Sequence, residues 1–124
     1  MIQILWIALG GAAGSVLRYL SNMAVFELYD GKFPAGTLLV NAVGSFLIGV
    51  FWIAAPNMND ASKAFLFVGL LGGFTTFSSF SLETLRLFQS DTMSLALFNV
   101  VINNVLGIVL CYAGFQLGKV IFQS

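Results

Sequence analysis

The chain has 124 residues, of which 59% are hydrophobic and 8% charged, and a mean hydropathy of +0.97; a soluble domain carries roughly a quarter charged residues. At about 20 residues per spanning helix it accommodates about four membrane helices as a single unit over residues 1–124, with no room for a soluble domain. Zero net charge without a basic cluster leaves no evident nucleic-acid or anionic-lipid partner, the lone Cys111 excludes an internal disulfide, and the lack of His excludes a zinc site or a His-based relay within one chain.

The first span is predicted from Ile4 to Leu20. The opening Met1-Ile2-Gln3-Ile4 has no basic lead-in, which reads as a retained helix rather than a cleaved signal. Gly10 and Gly14, four apart, let another helix backbone approach closely. Arg18 near the end of this span has two readings: an interfacial anchor beside Tyr19, or a cation facing an aqueous vestibule, where it raises local anion concentration. Asn22 to Ala35, with Glu27, Asp30, Gly31, Lys32 and Pro34, is expected to be the first loop.

The second span is expected from Gly36 to Ala55, with Asn41 in its first half. An intramembrane Asn has to face the bundle interior, a partner helix or a pore, so it is either interhelical glue or a pore-lining amide. Pro56 to Lys63 forms the second predicted loop, with Ser62 or Asp60 as the next N-cap. A short third loop is placed at Gln89 to Thr92, and a fourth span at Met93 to Val120. That last span carries Asn99 and Asn103 on one face, four residues apart, with Asn104 beside them.

The third span holds the unusual stretch, Gly72-Gly73-Phe74-Thr75-Thr76-Phe77-Ser78-Ser79-Phe80-Ser81. The glycine pair costs about 2 kcal/mol in helix propensity relative to alanine, and Thr side chains compete for backbone groups. A break near Gly72 to Thr76 is therefore expected. In lipid such a break survives only where protein or water satisfies the freed backbone. It would expose carbonyls that suit a cation on one side and half-helix N–H groups that suit an anion on the other. Phe74, Phe77 and Phe80 form one stripe and Thr75, Ser78 and Ser81 a second, with Glu83 one turn after Ser79. An aromatic stripe of this kind is ordinary lipid-facing or packing surface, yet ring edges are electropositive and can contact an anion. Glu83 would repel an anion if ionised, so it either ends the path or bonds to nearby hydroxyls.

With the N-terminus inside, inside segments hold Lys63 and Lys119 and outside segments Lys32 and Arg86, plus Arg18 if it counts. The balance gives no orientation bias. Two oppositely inserted copies could pack as an antiparallel, dual-topology homodimer with its axis in the membrane plane.

The blocks Gly11-x-x-Gly14-x-x-x-Arg18-Tyr19, Gly36-Thr37-Leu38-x-x-Asn41-x-x-Gly44-Ser45-Phe46-x-x-Gly49 and Gly72 through Ser81-x-Glu83 resemble those of the Fluc (CrcB) family of fluoride-specific ion channels across nearly the whole chain. The resemblance implies an all-α membrane protein of four transmembrane helices, the third broken mid-membrane, forming an antiparallel dual-topology homodimer with two pores. It implies passive fluoride export through a bacterial inner membrane, and no enzyme activity. It also implies a structural Na⁺ at the dimer centre on the Gly72 and Thr75 carbonyls. Asn41 would be the pore asparagine, Phe77 and Phe80 the pore phenylalanines, Ser78 and Ser79 the hydroxyl track and Arg18 the vestibule cation. Thr37, Glu83 and Asn104 complete the expected path. The chain departs from the family pattern on the fourth helix, with Val100 and Asn104 where Tyr and Ser are common. The rival of a different class is a proton-coupled small multidrug transporter, which needs a carboxylate deep in the first span; this span has none.

Overall fold

A computed structural model describes residues 2–123. Helix α1 (Ile2–Leu28) is followed by α2 (Ala35–Ala54), then by a short 3₁₀ turn over Ala55–Asn57. The third span begins with α3, residues 60–74, resumes as α4 (Phe77–Gln89), and is followed by α5 (Met93–Gln123). Among the described residues, four helical stretches are long and apolar enough to cross a bilayer. The architecture is an all-helical, multi-pass membrane protein.

The first helix extends eight residues beyond its predicted end. Asn22 through Leu28 contain no Gly or Pro, and Asn22 donates its amide to Arg18 O at 3.0 Å within the helix rather than opening a turn. The chain leaves the helix only at Tyr29, just before Gly31 and Pro34. At the second loop the N-cap is Asn59, whose Oδ1 accepts from Ser62 N at 2.8 Å, so neither Asp60 nor Ser62 caps. A residue in extended conformation aims its oxygen at the third following N–H, and Asn59 is the residue that stands there. At the third loop Asp91 takes the left-handed conformation with φ of 59°, which short polar side chains tolerate.

Two tightly packed seams hold the bundle. α1 lies on α3, where a Cβ on Gly10 would strike Phe65 O and one on Gly73 would sit 2.8 Å from Gly11 O. α2 lies on α5, where a Cβ on Gly114 would strike Phe46 O. Without a hydrophobic driving force between helices in lipid, such backbone contact is how helices gain dispersion energy. Part of α3, Ala64–Leu71, is wound as a π-helix along the α1 seam, a conformation rare elsewhere and recurrent at functional sites.

The buried interior is small: Val40 and Asn99 are fully enclosed, with Leu71, Leu87 and Ala96 close to it. Large apolar side chains face outward along α1 and α5, including Leu5, Leu9, Val101, Val105 and Ile108. In water that surface would drive association; in hydrocarbon it is the proper solvent-facing side.

Candidate functional site

The site forms around Thr75 and Thr76, where α3 stops and α4 has not begun. Thr75 has φ −86° and ψ 159°, and Thr76 has φ −150° and ψ 119°, both extended. Backbone carbonyls from Gly72 to Thr75 lose their helical donors there, and two of the displaced N–H groups find side-chain partners. Thr76 N, which would reach Gly72 O in a continuous helix, donates instead to Asn41 Oδ1 at 2.8 Å. Ser79 N, which would reach Thr75 O, donates to the Thr76 hydroxyl at 3.1 Å, so Thr76 is the N-cap of α4.

Three helices supply the groups that hold this interruption. From α2, Asn41 accepts from Thr76 N and donates Nδ2 to Thr76 O at 3.0 Å, so one amide serves both backbone groups of one residue. From α1, Arg18 Nε donates to Gly73 O at 3.0 Å, which places a cation at the C-terminal end of α3, where the helix dipole is negative. From α5, Asn103 Oδ1 faces Asn41 Nδ2 at 3.5 Å. Gly44 gives room for the Thr75 methyl, which would strike a Cβ at that position. A cavity of about 340 Å³ opens beside these groups, lined among others by Asn41, Ser45, Gly72, Thr75, Thr76 and Phe77.

The expected path residues distribute unevenly in one subunit. Phe77 and Phe80 have ring centroids 5.6 Å apart at 48°, yet Phe77 is 78% exposed and Phe80 is buried. Ser78 is exposed, with Oγ 3.5 Å from the Thr76 hydroxyl, and Ser79 gives its backbone to the cap. Thr37 is buried against the Glu83 carboxyl, one turn along α2 from Asn41. Glu83 Oε1 is buried without a hydrogen-bond partner among the described residues. Asn104 is exposed and donates to Val100 O on its own helix at 2.7 Å, away from the Thr76 clamp.

What the fourth span brings to the centre is Asn99 and Asn103. Asn103 Nδ2 donates to Asn99 O and Oδ1, each at 2.8 Å, and Asn99 Nδ2 donates to the Thr84 hydroxyl at 2.9 Å. Neither residue was among those expected along the path. Their spacing of four residues is the signal that marks them, because it stacks two amides on one helix face, whereas Asn104 is rotated off it.

A family model described as "CrcB-like protein, Camphor Resistance (CrcB)" matches residues 5–115. The chain belongs to the CrcB family. A protein named fluoride-specific ion channel FluC from Magnetococcus marinus is 46% identical to this chain over 123 residues, covering 97% of this chain and all of the relative. Proteins of the same name from Shewanella woodyi and Agrobacterium fabrum are 48% and 45% identical, covering 94% and 98% of this chain and 96% and 100% of theirs. The match spans every helix of the CrcB chain, including both sides of the interruption at Thr75 and Thr76.

Proposed function

We propose that this CrcB protein is a passive, fluoride-selective ion channel, not an enzyme, that exports fluoride through a bacterial inner membrane and lowers its toxicity in the cytoplasm. The observation that carries the reading is full-length similarity at 45–48% identity to proteins named fluoride-specific ion channels. The site supports it with chemistry suited to a small hydrated anion. Closely spaced weak donors and ring edges can replace a water shell without holding the ion too tightly to leave. Asn41, Phe77, Phe80, Ser78 and Ser79 are the groups proposed along the path, with Thr37, Glu83 and Asn104 towards its ends. Arg18 attracts the anion towards the break while capping α3.

The functional unit is proposed to be an antiparallel, dual-topology homodimer in which the third-span break lies mid-membrane. The Gly72 and Thr75 carbonyls are released by the Asn41 clamp and the Thr76 cap, and both residues line the cavity. Hard, neutral oxygens at a helix C-terminus fit Na⁺, and two copies related by a two-fold axis would supply four such oxygens. Bound there, Na⁺ would offset the negative ends of both α3 helices. The small multidrug transporter reading is not favoured: the carboxylate that α1 carries, Glu27, sits in its last turn.

The test is anion efflux from liposomes holding the purified chain. The channel reading expects rapid fluoride loss with negligible chloride loss. Fluoride loss that stops when the proton gradient is removed would replace it with coupled transport.

A further inference from the structure

Among the described residues the Asn99 amide is the one polar side chain enclosed completely, at 0% exposure, and its partners run in a consistent direction. Asn41 donates to Asn103, Asn103 to Asn99, Asn99 to Thr84, and Thr84 Oγ1 donates to Phe80 O at 2.7 Å. Asn41 in turn grips Thr76, whose hydroxyl caps α4 at Ser79 N. The bonds therefore close a ring through the first two turns of α4, the turns that carry Phe77 and Phe80. A clamp at Thr76 alone fixes one point of α4 and leaves its tilt free. A second tie at Thr84 fixes the tilt.

We infer that Asn99 is a positioning residue for permeation: acting through the Thr84 hydroxyl, it sets the angle of α4 and so the placement of the Phe77 and Phe80 rings beside the cavity at the break. Thr84 uses its hydroxyl proton on Phe80 O, so its oxygen is left as an acceptor that only an external donor can engage. Asn99 supplies that donor from α5. Asn103 has no second role to spare, because its oxygen receives Asn41 and its Nδ2 is occupied by Asn99. Asn99 and Thr84 stand behind the proposed path and frame the turns of α4 that carry Phe77 and Phe80.

This inference rests on the channel reading, and its test separates the two. Full-length protein is placed in planar bilayers, and the fluoride current of single channels is measured. A defect in folding lowers the number of channels; a defect in ring placement lowers the current through each one. Thr84→Val, which swaps a hydroxyl for a methyl of equal size, is expected to reduce unitary current at least fivefold. Thr84→Ser restores it to within about twofold of the parent, because the hydroxyl returns. Asn99→Ala is expected to match Thr84→Val, and the double variant to fall no lower than the lower single, since both cut the same tie. If Asn99→Ala yields no channels, the Val and Ser pair at Thr84 carries the test alone. Unchanged unitary current in Thr84→Val, or reductions that multiply in the double variant, would overturn the inference and leave the channel reading standing. A parent chain without fluoride current overturns both.

Discussion

Asn41 shows how a residue read as pore lining can first be a structural part. Its amide has two protons and one oxygen, and the subunit uses all of them: Thr76 O and Asn103 Oδ1 receive the protons, and Thr76 N–H reaches the oxygen. For Asn41 to give a proton to an anion, one of those bonds has to be exchanged for the ion. Asn41→Leu should leave Thr76 N–H without a partner, at a cost of about 1–3 kcal/mol, and remove the side-chain donor to Thr76 O, which keeps its place at the start of α4. Thermal unfolding in detergent, followed through Trp6 and Trp52 fluorescence, is expected to show a drop of several degrees or more. Asn104→Leu provides the contrast, because Asn104 bonds only its own helix; its stability should stay within about 0.5 kcal/mol of the parent. A loss of fluoride flux in that variant at unchanged stability would place Asn104 on the ion path of the dimer, and unchanged flux would remove it. The identity of Asn41 and Thr76 as a pair was not legible from the chain, since no spacing rule links residues thirty-five apart. What was legible was that an Asn and a breakable, hydroxyl-rich stretch both needed partners away from lipid.

Among the elements, the seam of α1 on α3 carries the clearest consequence. Glycines at 10 and 14 read in the sequence as a close-packing face, and the structure uses them so, but which helix they receive is decided only in three dimensions. The receiving surface is the π-wound stretch Ala64–Leu71. Its sequence is uniformly apolar and carries no sign of a wider winding. Gly11 lies between the same glycines with nothing within 4 Å of where its Cβ would be. Gly11→Ala is therefore expected to be neutral or to stabilise by up to about 1 kcal/mol through helix propensity. Gly14→Ala would drive a methyl into the backbone at Leu70, costing about 1–3 kcal/mol or more. Comparing the unfolding temperatures of the two variants checks both expectations. α1 runs past its expected end for a related reason: Asn22 resembles a turn residue by type, yet its side chain bonds back to Arg18 O within the helix.

For the whole molecule, the proposed pairing of two oppositely inserted copies has a direct check. With a tag at either terminus, each tag should be found on both faces of the membrane; a single uniform orientation rejects dual topology. The proposed central Na⁺ has its own. Replacing Na⁺ by a large organic cation during purification should lower the thermal stability of the dimer, while a subunit with Thr75→Pro, already unable to keep its break geometry, should lose the Na⁺ dependence. Equal stability with and without Na⁺ in the parent would remove the ion from the structure. Four spans and their order were legible because apolar runs of the right length leave few alternatives, and Pro34, Pro56 and the polar loops punctuate them. Tertiary partners such as Asn99 with Thr84 were not, because a buried amide announces only that it needs a partner.

The helices also differ in length in a way that bears on where such a chain can work. α1 has 27 residues and α5 has 31, roughly 40 and 46 Å at about 1.5 Å per residue, against a hydrocarbon thickness of about 30 Å. α2, with 20 residues, matches that thickness at roughly 30 Å. Helices of the length of α1 and α5 exceed the hydrocarbon core and can absorb a thicker or thinner bilayer by changing tilt, while Asn41 of α2 stays bonded to Thr76. Fluoride flux from liposomes should accordingly vary little between lipids of shorter and longer acyl chains.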